Sequence, residues 1–204
     1  MKIFKTPVVF RWMFPLRTWG FSTSEKVVYL TFDDGPDPRI TPYVLDTLKE
    51  EEIKATFFCV GENVRLYPDL YQTVLSEGHS VGNHTMRHEK GTEVSNKKYF
   101  DSIEECANLV QSDLFRPPYG RATWNQSRML SKKYRIIMWS WLSYDYDRSV
   151  SVEEILENAK TIKNGDILVL HDNVKVEDRI RQLLPVLIKD LKERGFAFQA
   201  ITFA

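Results

Sequence analysis

The stretch Val27-Val28-Tyr29-Leu30-Thr31-Phe32-Asp33-Asp34-Gly35-Pro36 decides how this chain reads. Its first half is apolar and β-branched, the composition of a strand buried on both faces. Its second half cannot continue a strand, because Gly35-Pro36 and then Asp37-Pro38 break the ladder. Two adjacent carboxylates therefore sit where a strand ends and a turn begins. Asp, Gly and Pro are ordinary turn residues, so the turn alone explains them in part. Two like charges side by side nevertheless cost free energy unless a cation or a shared proton offsets it.

Working outward, strand and helix patterns alternate. Ile40 to Glu52 has helical spacing with Val44, Leu45 and Leu48 on one side, and Thr41-Pro42 suits a helix start. Ala55 to Val60 is a second buried strand closed by Gly61. Pro68 to Glu77 is a helix ended by Gly78, and His79 to Asn83 is a short third strand. Lys97 to Ser112 is helical, Leu114 to Arg116 a fourth strand stopped by Pro117-Pro118, and Thr123 to Lys132 a helix. Arg135 to Trp141 reads as a fifth strand, Val152 to Ile162 as a helix, and Asp166 to Leu170 as a sixth strand. Arg179 to Arg194 is a helix closed by Gly195, and Phe196 to Ile201 a seventh strand. Short apolar strands alternating with helices predict a parallel α/β sheet covered on its faces, either open and doubly wound or closed as a small barrel. Both architectures place function at the C-terminal ends of the strands. No repeat or low-complexity stretch interrupts the pattern.

Composition bounds the function. The 204 residues suffice for one domain with a substantial core. Lys+Arg 28 balances Asp+Glu 28, which speaks against nucleic acid as a partner and leaves a neutral or weakly charged substrate. Two cysteines, Cys59 and Cys106, make neither a disulfide framework nor a zinc cluster. No run is long and apolar enough to span a bilayer. Residues 1–24 read as an arm, basic and aromatic, with Lys2, Lys5, Arg11 and Arg17 among Phe4, Phe10, Trp12, Phe14 and Trp19. The arm either packs on the domain, residues 25–204, or touches a membrane surface. Arg11 interrupts its apolar run and no small-residue cleavage site follows, so the expectation is a cytoplasmic or membrane-peripheral monomer.

The chemically capable residues collect at the strand ends: Asp33-Asp34, then Asn83-His84 with His88, then Arg116 to Gly120, then Ser143 to Asp147, then His171-Asp172. His84 and His88 have i, i+4 spacing and would share a face on a helical turn. Two imidazoles and one carboxylate form a ligand set that leaves positions open on a divalent metal, which suits hydrolytic zinc. The second carboxylate is then a general base for water, and His171 an acid for the leaving group. Arg116 is placed to hold the base carboxylate by a bidentate pair. The backbone N–H of Tyr119 is a donor for a developing oxyanion. His79 follows a turn at the far end of its strand and reads as structural. Core packing is assigned to Trp139, whereas Trp141, Tyr144 and Tyr146 are candidates to stack on a sugar face.

Taken together, Thr31-Phe32-Asp33-Asp34-Gly35, His84-Thr85-Met86-Arg87-His88, Arg116-Pro117-Pro118-Tyr119-Gly120 and Leu168-Val169-Leu170-His171 resemble the polysaccharide deacetylase family, the NodB homology domain of carbohydrate esterase family four. The resemblance covers residues 25 to 204 and keeps the family's motif order. It implies a single-domain distorted (β/α)7 barrel that removes acetyl groups from an amino-sugar polysaccharide or oligosaccharide, peptidoglycan- or chitin-like. It implies Asp33 as catalytic base, Asp34, His84 and His88 as ligands of one divalent ion (zinc first, then cobalt, nickel or manganese), Arg116 as orienter of the base, Tyr119 as oxyanion donor and His171 as acid. One motif departs. Where the family carries Asp-x-x-Asp-Trp, with its first Asp supporting the histidine, this chain has Leu142-Ser143-Tyr144-Asp145-Tyr146. Leucine accepts no hydrogen bond, and Asp145 is the candidate substitute. The alternatives are an O-acetyl esterase or small-molecule amidase on the same scaffold, and an inactive glycan-binding module.

Overall fold

The structure is a computed structural model that describes residues 2–203. In chain order these form helix α1 (Val9–Met13), strands β1 (Arg17–Thr18) and β2 (Val27–Asp33), helix α2 (Thr41–Glu50), strand β3 (Thr56–Cys59), helices α3 (Gly61–Leu66) and α4 (Pro68–Ser76), and strand β4 (Ser80–Asn83). There follow α5 (Asn96–Ala107), β5 (Leu114–Phe115), α6 (Trp124–Leu130), β6 (Arg135–Ile137), β7 (Trp141–Leu142), α7 (Val152–Ala159), β8 (Ile167–His171), α8 (Glu177–Glu193) and β9 (Ala197–Phe198). The strands run parallel in the order β1-β6-β5-β4-β3-β2-β8-β7, with β9 beside the start of β2. The sheet curls into the distorted (β/α)7 barrel expected of the sequence, in a single domain.

Strand β2 is central. All of its residues but Tyr29 are buried, as its unbroken apolar run requires. Helix α8 covers one face with Ile180, Leu183, Leu184, Leu187, Ile188 and Leu191, a period of three and four residues that lines up one side of a helix. Each such leucine or isoleucine contributes about 1.5–3 kcal/mol on leaving water. Pro185 sits on the opposite, exposed side of the same helix. Cys59 and Cys106 are buried free thiols in this core.

The strand list is the first departure: β1 in the N-terminal arm is an added strand beside β6, and the expected fifth strand is split. Residues 135–141 form two strands, not one, because the chain changes neighbours between Ile137 and Trp141. β6 pairs with β5 and β1, whereas β7 pairs with β8. The gap is filled by the N-terminal segment: Met138 N–H donates to Thr18 O (2.7 Å), Thr6 N–H to Ser140 O (2.9 Å), and Leu142 N–H to Phe4 O (2.9 Å). Phe4 and Trp19 are buried as a result. Helix α3 is a second departure, since Gly61 opens a helix directly after β3 instead of a loop.

Candidate active site

Register brings the strand-end residues together. Asp33 of β2 lies opposite His171 of β8, and Cys59 of β3 opposite Asn83 of β4, which in turn pairs with Phe115 of β5. The next residues along these strands are Asp34, His84 and Arg116, so five functional side chains enter one mouth.

Asp34, His84 and His88 offer ligand atoms that all lie within 4.8 Å of one another. His84 and His88 reach this point from an irregular turn, not from the helical turn their spacing suggests. Thr85 and His88 take left-handed backbone conformations, at φ 63° and 57°. The turn is held instead by polar bonds: Thr85 N–H to Asn83 Oδ1 (2.9 Å), Met86 N–H to Ser102 Oγ (2.9 Å) and Glu89 N–H to Thr85 Oγ1 (3.1 Å). His84 Nδ1 lies 2.8 Å from Arg116 O. A carbonyl only accepts, so Nδ1 carries the proton and Nε2 keeps a free lone pair. That Nε2 is 3.6 Å from Asp34 Oδ1, and His88 Nε2 is 3.1 Å from the same oxygen.

The donor set fits a divalent cation. Asp34 Oδ1 is buried without a hydrogen-bond partner, although its other oxygen accepts from Asn173 Nδ2 at 2.7 Å. A buried, unsatisfied carboxylate oxygen facing two imidazoles is costly until a cation meets it. Burial pushes His84 down to about 4, the neutral state that ligation requires. Burial opposes ionisation of Asp34, yet its contact with His88 and the charges of His171, His84 and His88 hold its carboxyl well below the usual range.

The second carboxylate is held differently. Asp33 Oδ1 lies 2.6 Å from Arg116 Nη1. The pair has one contact and is not the bidentate fork anticipated, because Arg116 spends its other donors elsewhere: Thr31 Oγ1 (2.7 Å), Ile137 O (3.2 Å) and Met138 O (3.0 Å). Its guanidinium stacks on Phe58, with 4.0 Å to the ring centroid. A fully buried arginine thus links strands β2 and β6 and gives Asp33 a fixed counter-charge.

Across the mouth, His171 Nδ1 lies 2.7 Å from Asp145 Oδ1, and the backbone N–H of His171 donates to Asp145 Oδ2 at 2.8 Å. Support for the histidine therefore comes from Asp145. Leu142, at the position where that support was expected, lines the cavity instead. Burial alone would lower His171. The charge and hydrogen bond of Asp145, with Asp34 and Asp33 behind it, raise it to about 10.

Asp33, Asp34, His84, His88 and His171 line a cavity of about 500 Å³ with Tyr119, Trp139, Tyr144, Tyr146, Asn173 and Lys175. The aromatic assignment is corrected in two ways. Trp141 is fully buried and cannot meet a ligand, whereas Trp139 lines the cavity. Gly120 makes that possible: its φ is 65°, and a Cβ there would lie 2.6 Å from the Trp139 ring. Tyr119, at φ 58°, places its ring 4.6 Å from that of His88. Tyr146 meets His171 edge-on at 5.2 Å. His79 is buried away from the mouth and accepts from Ala55 N–H at 3.1 Å.

Asn173 escapes the sequence reading, and Asp172, grouped there with His171, received no role. Asn173 holds the ligand carboxylate of Asp34. Asp172 accepts from Gly35 N–H (3.0 Å) and Thr41 Oγ1 (2.6 Å), clamping the turn after the two aspartates. Gly35 is obligatory there, since a Cβ would sit 2.1 Å from the Asp172 carboxylate. Asn and Asp after a strand look like turn residues; only their position immediately past His171 hints at more.

Comparison with known proteins places the chain in a family. The polysaccharide deacetylase family model matches residues 21–136, and the chain belongs to that family. A peptidoglycan-N-acetylglucosamine deacetylase of Bacillus cereus is 35% identical over 195 residues, covering 91% of each chain. A chitooligosaccharide deacetylase of a Bradyrhizobium strain is 31% identical over 202 residues, covering 88% of this chain and 91% of its own. A crystal structure of a peptidoglycan N-acetylglucosamine deacetylase superposes with a TM-score of 0.87 at 29% identity, covering 96% of this chain and 95% of the other.

Proposed function

We propose that this hydrolase removes N-acetyl groups from a peptidoglycan- or chitin-type glycan. The observation that carries the reading is one mouth containing a ligand triad with an orphaned carboxylate oxygen, flanked by Asp33–Arg116 on one side and His171–Asp145 on the other. The names of the B. cereus and Bradyrhizobium relatives support the substrate class.

Asp34, His84 and His88 would hold the ion. Two imidazoles and a carboxylate suit zinc first, with cobalt, nickel or manganese as alternatives. When bound, that ion supplies Lewis acidity to water and to the acetamide carbonyl. Asp33 takes the proton of the attacking water at its carboxylate, and Arg116 keeps that carboxylate in place. The backbone N–H of Tyr119 donates to the oxyanion that develops as the carbonyl is attacked. His171, protonated at neutral pH, gives its Nε2 proton to the departing amine while Asp145 holds Nδ1. Acetate and a free amino sugar leave. Trp139, Tyr144 and Tyr146 offer ring faces to the sugar.

The test is acetate release from an N-acetylated chito-oligosaccharide, a peptidoglycan fragment and an O-acetylated xylan. Release from the first two is expected. Release from the ester alone would replace the reading with an O-acetyl esterase.

A further inference from the structure

The chain is neutral overall, but its charges are segregated. Residues 1–24 contain four Lys/Arg and residues 114–144 six, and neither segment contains any Asp or Glu. The rest of the chain therefore holds 18 Lys/Arg against 28 Asp/Glu. The two basic segments are neighbours in space. β1 pairs with β6, and the Arg17 guanidinium donates to Ser127 Oγ (2.9 Å) and Ala122 O (2.6 Å), tying the arm to α6. Phe14 and Trp19 pack into the cluster that includes Leu130 and Tyr134, and Phe10 leans on both.

That anchoring runs through residues 14–19 and leaves α1 in solvent, with none of its residues buried. Trp12 is 81% exposed and Met13 56%, with Val8 and Val9 exposed beside them. Met129 and Trp124 are exposed on α6. Single exposed apolar residues are ordinary; so many gathered on the arm and its neighbouring helix are not. Arg11, Arg121, Arg128 and Lys132 are exposed among them, and none forms an ion pair among the described residues.

From this pairing of free cations with protruding aromatic and aliphatic side chains, we infer that this flank docks on an anionic lipid surface. Cations alone would fit any polyanion. The protruding Trp12 and Met13 distinguish the cases, because a soluble polyanion offers them nothing, whereas a headgroup layer accepts both ring and charge. Each basic residue near an anionic leaflet strengthens attachment about fivefold, so four suffice for reversible attachment. Catalytic residues lie elsewhere, at the barrel mouth, so attachment and hydrolysis are separable.

The experiment is co-sedimentation of the full chain with phosphatidylcholine vesicles, with and without phosphatidylglycerol. Binding is expected only when phosphatidylglycerol is present. Arg128→Ser/Lys132→Ser should lower the partition coefficient roughly thirtyfold, and Trp12→Glu/Met13→Glu at least as much. Both variants should keep wild-type acetate release from soluble chito-oligosaccharide, which also shows that they fold. No sedimentation with anionic vesicles would overturn the inference, as would equal binding to both vesicle types. Binding that survives Trp12→Glu/Met13→Glu and is displaced by polyglutamate would assign the flank to a soluble polyanion instead.

Discussion

The two sides of the mouth solve opposite problems with the same pair of charges. In the proposed mechanism the carboxylate of Asp33 is the reacting group on one side and the arginine its support. On the other, in the same mechanism, the imidazole of His171 reacts and the carboxylate of Asp145 supports. The supports are equally buried, but they are anchored differently. Arg116 spends its remaining donors on Thr31 and on carbonyls of the β6 segment, so it is fixed by the sheet itself. Asp145 spends both oxygens on His171 and stands on the loop after β7. Both reacting groups move a proton, one taken from water and one given to the amine, and each must be restored every turnover. The difference teaches a division of labour between the supports: Arg116 fixes a base against the sheet, whereas Asp145 on its loop keeps an acid charged.

Asp33→Asn attacks that division most severely. It removes the base while leaving the ligands in place, and turnover should fall on the order of a thousandfold, measured as acetate release, with metal content by elemental analysis unchanged. Retained turnover would move the base elsewhere. Next in size is Asp145→Asn, for which about a hundredfold loss is expected. An amide there can accept from only one of the two His171 N–H groups. In the wild type His171 is raised to about 10, so its charge stabilises the fold below the ordinary imidazole value and that contribution is lost as pH rises through about 10. The alkaline limb of the kcat/KM profile should therefore move down in Asp145→Asn, toward about 6.5. An unmoved limb would remove Asp145 from the acid side. The smallest effect is expected of Asn173→Ala, which frees Asp34 Oδ2: metal affinity by competitive titration should weaken roughly tenfold, with little change in turnover at saturating metal. Unchanged affinity would make Asn173 only a turn residue.

Much of this was legible in the sequence because buried strands and strand-end polar residues leave local traces. Val27 to Asp33 reads as a strand without any knowledge of its neighbours, and the motif order fixes the family. Other features depend on partners distant in the chain. The break between Ile137 and Trp141 exists because Phe4, Thr6 and Thr18 insert beside it, a contact no local pattern encodes. It also sets Trp139 in the cavity wall and Trp141 in the core, reversing the expectation for the two rings. The i, i+4 spacing of His84 and His88 suggested a helix, yet left-handed Thr85 and His88 bring the rings together by another route. Leu142 drew attention to a missing support and Asp145, three residues on, was its candidate substitute; the fold sets that carboxylate against His171.

The central claim is that Asp34, His84 and His88 hold the ion on which deacetylation depends. The direct measurement is acetate release from N-acetylated chito-oligosaccharide by wild type, before chelation, after chelation and dialysis, and after addition of zinc, alongside His84→Ala/His88→Ala. Activity should vanish on chelation, return with zinc in the wild type and stay absent in the double variant, which should also fail to retain metal. Full acetate release from the chelated protein, or a double variant that binds metal and turns over like the wild type, would contradict it.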